Sequence, residues 1–134
     1  MNMKNFVVAA WRFPHSEYGE LVEIDCELVT DGTEWAAVQS GEFVNRRSPE
    51  LDLDKPHQKI NVTIQKLEAL ALLCDKTEYS FQEHPFTAAL GGTWYGLRIS
   101  RGFQTATITW QGKFEDQSEG IRKMHSAIYK LAEA

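Results

Sequence analysis

Three acidic side chains recur at every second position of the segment LVEIDCELV, namely Glu23, Asp25 and Glu27. An extended conformation places all three on one face of a strand, because side chains alternate between the two faces. The other face then carries Val22, Ile24, Cys26 and Leu28. Carboxylates at this spacing can share a proton or bind a cation. They can equally form a solvated outer face or a surface that docks on a basic protein, and the segment alone leaves these alternatives open.

The acidic residues are concentrated between Glu17 and Asp54. This stretch holds eleven acids against two arginines, so it carries −9 while the whole chain carries −5 and the remainder +4. Such a charge disfavours nucleic-acid binding through this part of the chain, and the remainder has no basic run. We therefore predict a protein partner with a basic surface and no nucleic-acid partner. The predicted contact residues in this stretch are Glu23, Asp25, Glu27, Asp52 and Asp54.

A β-hairpin is predicted from Thr93 to Trp110, with a two-residue turn at positions 101–102 that pairs Ser100 with Phe103. This alternation separates an apolar face from a face rich in hydroxyl groups. The apolar face carries Tyr95, Leu97, Ile99, Ala106, Ile108 and Trp110.

Two further contact residues, Trp94 and Arg98, fall on the hydroxyl-bearing face of this hairpin. Tryptophan and arginine are enriched among the residues that dominate binding energy at protein interfaces. We therefore predict that they form a contact patch. The alternative is that a second layer of the protein packs over this face.

No catalytic or metal-binding set is apparent. The four histidines, His15, His57, His84 and His125, have no metal-ligand spacing, and His125 is expected to flank the apolar stripe of a helix. A nucleophile motif and a phosphate-binding loop are also missing. Cys26 and Cys74 fit no metal or redox spacing and are expected to be small buried side chains. We predict no cofactor, no metal and no catalytic residue, and favour a protein that is not an enzyme.

The first half of the chain predicts strands. Asn5 to Phe13 forms a buried strand. Asp31 and Gly32 predict a hairpin that pairs Thr30 with Thr33 and Cys26 with Ala37. A strand is favoured for the segment from Glu34 to Gln39, with a short helix as the alternative. Residues 51–54 could form a short edge strand, and residues 59–62 and 78–83 also look extended.

Two helices are predicted. The first runs from Ile64 to about Cys74, with Thr63 as its N-cap and a stripe of Leu67, Leu70, Ala71 and Cys74 that Leu72 and Leu73 widen. The second opens with a capping box from Asp116 to Glu119 and runs to about Ala132, with a stripe of Ile121, Met124, Ile128 and Leu131.

These elements predict a single α+β domain, in which one mostly antiparallel sheet of about five to seven strands has two helices packed on one face. A length of 134 residues suits one domain with a substantial core. The longest apolar runs are much shorter than the roughly 20 residues of a spanning helix, and the N-terminal segment does not have the pattern of a signal peptide. We therefore expect a cytoplasmic protein with no membrane partner.

The segment GGTWYGLRISRGFQTATITWQG, followed by an amphipathic helix, resembles a pattern in small bacterial proteins of unassigned function. These proteins carry a G-T-x-Y-x-L-x-I strand, a glycine turn, a strand ending in W-x-G and a closing helix. Some acidic proteins of similar size are immunity proteins, which neutralise a toxin inside the cell that produces it. The resemblance covers about a third of the chain and implies no catalytic residues.

Three hypotheses for the function follow. The favoured one is a non-enzymatic binding protein, in particular a toxin-immunity or inhibitor protein that covers a basic active site with its acidic face. The second is a small enzyme or ligand-binding protein with a pocket between sheet and helices, for which His84, Tyr95 and Asp25 are the polar groups to test. The third is a structural module in which the hydroxyl-rich hairpin face or an edge strand pairs with a second copy to form a homodimer.

Overall fold

The computed structural model describes residues 6–14, 18–25, 35–45, 48–76, 93–101 and 104–133. Within these residues the strands are β1 (Phe6–Phe13), β2 (Gly19–Asp25), β3 (Trp35–Phe43), β4 (His57–Thr63), β5 (Thr93–Arg101) and β6 (Gln104–Gly112). The helices are α1 (Ile64–Lys76) and α2 (Glu119–Leu131), and a short 3-10 helix (Phe114–Asp116) precedes α2.

The six strands form one antiparallel sheet in the order β4-β3-β2-β1-β5-β6. Both helices pack on the same side, where their apolar residues join those of the sheet in the main core. The α1 residues of this core are Leu67, Leu70, Ala71 and Cys74, and those of α2 are Ile121, Met124 and Ile128. This arrangement confirms the predicted α+β fold. It forms because each helix has one apolar stripe, and the two stripes are buried against the same face of the sheet.

The hairpin of β5 and β6 keeps its predicted faces, but its predicted register is wrong by two residues. Ser100 pairs with Thr105 instead of Phe103, and Arg101 pairs with Gln104. A shift of two residues leaves every side chain on its own face. The observed register sets Tyr95 directly opposite Trp110, and their stacked rings have centroids 5.3 Å apart.

The register between β2 and β3 differs from the prediction by one residue, so the predicted pairing of Ala37 with Cys26 is wrong. Ala37 pairs with Asp25, and Val38 pairs with Ile24. A shift of one residue exchanges the faces, and the apolar helix-side face therefore continues through Val38. β3 is a continuous strand from Trp35 to Phe43, which excludes the short helix for its described part.

Three local predictions also change. Residues 51–54 are not an edge strand, and the chain turns at positions 52–55, where the Lys55 backbone N–H donates to the Asp52 carbonyl oxygen at 3.1 Å. Leu72 is 49% exposed and does not widen the stripe of α1. The predicted capping box from Asp116 to Glu119 is wrong, because α2 begins at Glu119 and its N-cap is Ser118. The Asp116 carboxylate instead accepts a hydrogen bond from the Lys113 backbone N–H at 3.3 Å. The predicted extended segment at 78–83, Cys26, Glu27, His15 and His84 lie outside the described residues.

No helix in the described ranges is both long and apolar enough to cross a membrane.

Candidate functional site

The side of the sheet that faces away from the helices carries Trp11, Glu23, Trp94 and Arg98, and we call it the open face. These residues share a face because Phe13 pairs with Trp94 and Ala9 pairs with both Glu23 and Arg98. Three predicted contact residues, Glu23, Trp94 and Arg98, are thus brought to one surface from two separate strands.

A second, smaller apolar cluster lies on this open face. Its buried members are Ala9, Trp11, Phe13, Leu21 and Phe43, and Leu51 and Trp94 pack against it half-buried. The rings of Phe13 and Phe43 meet edge to face, with centroids 5.5 Å apart. The loop after β3 therefore covers part of the open face through Leu51, and the predicted alternative of a second layer holds for this part.

The same loop carries Asp52 and Asp54. The backbone N–H of Asp52 donates to the Glu42 carbonyl oxygen at 2.8 Å, which anchors the loop to the end of β3. One carboxylate oxygen of Asp52 accepts a bond from the Asp54 backbone N–H at 3.0 Å, as is typical of an aspartate that closes a turn. Asp52 is half-buried, whereas Asp54 is exposed.

Arg98 lies at the centre of the contacts on the open face. Its Nη2 lies 3.5 Å from Oε2 of Glu23, and its Nη1 donates to the Pro49 carbonyl oxygen at 3.4 Å. The Cζ atom of Arg98 is 5.5 Å from the centroid of the Trp11 ring, as in a cation–π contact. Because the small side chain of Ala9 stands between Glu23 and Arg98, the two long side chains can meet across β1.

Gly96 explains why the Trp11 indole can lie against β5. A Cβ atom at position 96 would stand 1.9 Å from Cε2 of Trp11, so only glycine leaves room for the ring. Sequence reasoning missed both residues as part of this face. One feature of the sequence could have indicated this contact, namely a glycine in the interior of a predicted strand. Such a glycine often marks a position where another group approaches the backbone closely.

Along β6 the open face is polar and uncharged. Thr105, Thr107 and Thr109 are exposed on β6, and the hydroxyl groups of Ser100 and Thr105 lie 2.9 Å apart. This arrangement confirms the predicted hydroxyl-bearing face of the hairpin.

Of the other predicted contact residues, Asp25 pairs with Val7 and Ala37 at the end of β2, and Glu27 falls outside the described residues.

A second group of polar side chains lies on the helix side, around His125 of α2. His125 is 4% exposed, and its Nε2 lies 2.9 Å from the Trp11 carbonyl oxygen. The rings of Tyr95, Trp110, Phe114 and Tyr129 surround it, with centroids 4.9–5.9 Å from that of His125. Burial lowers the pKa of His125 from 6.5 to about 4, since the Trp11 bond only partly opposes it and the Arg12 charge lowers it further.

The neighbouring Arg12 and Tyr129 bind the end of α2 to β1 and β2. Nε of Arg12 donates to a carboxylate oxygen of Glu20 at 2.6 Å, and its guanidinium lies over the Tyr129 ring. The Tyr129 hydroxyl donates to the Glu20 carbonyl oxygen at 2.9 Å, and burial raises the pKa of this hydroxyl above its ordinary value. Next to these groups is an open cavity of about 550 Å³, lined by Arg12, Tyr95, Phe114, His125, Ser126, Tyr129, Lys130 and Glu133.

Within the described part of the chain, histidine, cysteine and acidic side chains form no group of three or more that could hold a metal ion. The chain matches no protein-family model, no curated protein and no solved structure.

Proposed function

We propose that this chain is a non-enzymatic, cytoplasmic protein-binding domain, and that it acts as an immunity or inhibitor protein against a toxin. The proposal is supported above all by the convergence of Glu23, Trp94 and Arg98 on the open face. The partner would be a protein with a basic surface, and the chain would act by covering that surface.

The contacts of Arg98 favour recognition over simple solvation. Its guanidinium is held at once by Glu23, by the Pro49 carbonyl and by the Trp11 ring, yet the Arg98 side chain remains 26% exposed. A side chain that is already ordered loses little conformational freedom when a partner binds, which improves affinity. Arginine and tryptophan in such partly buried positions are typical anchors of interfaces.

Charge supports a basic partner. Glu23 is partly compensated by Arg98, but Asp52 and Asp54 add carboxylates at the border of the open face, in a stretch whose charge is −9. Opposite charges steer two proteins towards each other and raise the association rate more than the final affinity. Binding should therefore be fastest at low ionic strength and slow down as salt screens the attraction.

The first experiment is a pull-down with tagged protein from lysate of the cells in which the chain is naturally made, at low and at high salt. A stoichiometric partner is then titrated against wild type and three variants. Asp54→Lys and Arg98→Ala alter the open face or its border, and Glu115→Lys makes the same charge reversal on the exposed 3-10 helix before α2. Circular dichroism establishes that each variant is folded.

We expect Asp54→Lys to lower the association rate severalfold at low salt and to flatten its salt dependence, and Arg98→Ala to raise the dissociation rate. Glu115→Lys should bind like wild type. If both open-face variants also bind like wild type, the open face is not the binding surface. A blank pull-down at low salt would instead favour the ligand-binding alternative.

That alternative is supported by the cavity beside His125, which brings Tyr95 together with Arg12, Tyr129 and a histidine of lowered pKa. Convergent polar groups in a cleft of this size are typical of small-molecule sites. However, these polar groups already join elements of the fold, because Arg12 connects β1 to β2 while His125 and Tyr129 connect α2 to those strands, and this suits a structural role. Small molecules are screened by thermal shift against wild type and against Tyr95→Phe, to distinguish a ligand-binding role from a structural one. A ligand of this cavity should raise the melting temperature of wild type more than that of the variant.

A further inference from the structure

The two edges of the sheet differ in how well they are protected against pairing with another strand. β4 follows Pro56 and carries His57 and Lys59, all exposed. Charged residues and proline at an edge are the usual means by which proteins prevent a further strand from adding. β6, at the other edge, has the sequence QTATITWQG, which contains neither charge nor proline.

β6 has the properties of a strand that can accept a partner. It is nine residues long, rich in β-branched residues and, among the described residues, pairs only with β5. Its first four residues are exposed, and Ile108 is half-buried. Alternate residues of such an edge turn their N–H and C=O groups away from the sheet, where another strand can bind them.

We propose that β6 pairs with β6 of a second copy of this chain, antiparallel and about a twofold axis, so that two sheets of six described strands join into one. The strand is suited to pairing with itself, because no like charges meet when two copies come together. A pairing centred on Thr107 sets Thr105 opposite Thr109 of the second copy on the open face. It also sets Ala106 opposite Ile108 of the second copy on the helix side.

The sheet already contains an example of the contacts that this pairing would repeat. Ser100 and Thr105 are a cross-strand pair of β5 and β6, and their hydroxyl groups lie 2.9 Å apart. Threonine pairs on the open face of the dimer would have the same chemistry. Two paired edges bury little apolar area, so the dimer should form at micromolar concentrations and dissociate on dilution.

The dimer is independent of the proposed function. Pairing through β6 leaves Glu23, Trp94 and Arg98 uncovered and joins the open faces of the two copies into one continuous surface. If the open-face variants do not affect partner binding, the proposed dimer is not contradicted. If the protein is monomeric, the proposed binding surface on the open face is not contradicted.

The test is sedimentation equilibrium of the full chain over a micromolar concentration series. Thr107→Glu is the informative variant, because Thr107 pairs with Arg98 within one chain, where a carboxylate is well accommodated. In the dimer two glutamates would face each other directly and repel. Asn61→Glu places the same charge at an exposed position of the other edge, β4, and serves as the matched control.

We expect the mass of wild type and Asn61→Glu to rise from one chain to two as concentration increases, while Thr107→Glu stays at one. Hydrogen exchange on wild type gives a second readout without any variant: amides of β6 should exchange faster on dilution, and those of β4 should not change. The proposal is overturned if wild type remains at one chain throughout, if Thr107→Glu dimerises like wild type, or if dilution exposes β4 instead.

Discussion

Nε2 of His125 lies 2.9 Å from the carbonyl oxygen of Trp11 and ties α2 to the strand β1. A carbonyl oxygen only accepts hydrogen bonds, so Nε2 carries the proton and donates it. The indole of the same Trp11 lies on the open face beneath Arg98. Trp11 therefore connects the two sides of the sheet, with its backbone holding the helix layer and its ring supporting the predicted contact surface.

The burial of His125 makes the stability of the fold depend on pH. Its pKa is about 4 in the folded protein, against 6.5 for an unperturbed histidine, so the unfolded chain binds more protons between these values. The contribution of neutral His125 is complete above pH 6.5 and is lost as pH falls towards 4. The loss amounts to about 3 kcal/mol in the free energy of unfolding.

Urea denaturation at closely spaced pH values between 4 and 7 measures this dependence. Arg12 of β1 and Tyr129 of α2 also face His125, but the pKa values of both groups are raised above their ordinary values and lie far from this range. The control is His125→Gln, which removes the titrating ring and keeps an N–H donor. We expect its curve to be flatter than that of wild type, and parallel curves would show that His125 does not carry the effect.

Gly96→Ala should destabilise the protein by about 1–3 kcal/mol, because the added methyl group overlaps the Trp11 ring and the ring is confined by Arg98. Thr109→Ala is the matched control, since Thr109 is the cross-strand neighbour of Gly96 and is exposed. Thermal unfolding should leave the control within about 0.5 kcal/mol of wild type. If Gly96→Ala is as stable as wild type, the Trp11 indole can adopt another conformation at no cost in stability.

The alternation of apolar and polar residues was sufficient to predict the α+β fold and the faces of the hairpin. It was insufficient for register: a shift of two residues in the hairpin preserves every face, so the pattern cannot detect it. Between β2 and β3 the turn residues Asp31 and Gly32 suggested one pairing, while burial of Val38 next to Ile24 requires another. The main core, built from distant elements, outweighs the local turn chemistry.

The candidate site was predictable only in part, because its contacts join residues far apart in the chain. Composition suggested Trp94 and Arg98, and alternation suggested Glu23. Two contacts depend on the neighbouring positions of β1, β2 and β5, which the sequence does not reveal. Ala9 separates Glu23 from Arg98, and Gly96 leaves room for the Trp11 ring. His125 was expected at the edge of an apolar stripe, and its partner, the Trp11 carbonyl, is 114 residues away.

Neighbouring leucines of α1 should differ sharply in their contribution to stability. Leu70 is 3% exposed in the main core, whereas Leu72 is 49% exposed. Leu70→Ala removes buried methyl groups and leaves a cavity, at a cost of about 2–5 kcal/mol in the free energy of unfolding. Leu72→Ala should change it by less than about 0.5 kcal/mol, as measured by urea denaturation. Equal costs would contradict the burial of Leu70 and the exposure of Leu72.

The contact between Glu23 and Arg98 should be energetically coupled although its N–O distance is 3.5 Å. A double-mutant cycle with Glu23→Gln and Arg98→Ala isolates the pair from the packing of Arg98 on Trp11. We expect a coupling of roughly 0.2–1 kcal/mol that decreases as salt rises, because both side chains are about two-thirds to three-quarters buried and still partly screened.

A comparison pair exists on α2, where Nζ of Lys123 lies 3.0 Å from Oε1 of Glu119, with side chains 62% and 72% exposed. If distance dominated, the shorter helix pair would be the more strongly coupled. Burial reduces screening by water and also reduces the conformational freedom that two long side chains lose when they pair. We therefore expect the Glu23–Arg98 coupling to exceed that of Glu119–Lys123 in the same buffer. The reverse order would show that Arg98 is held mainly by the Trp11 ring and the Pro49 carbonyl.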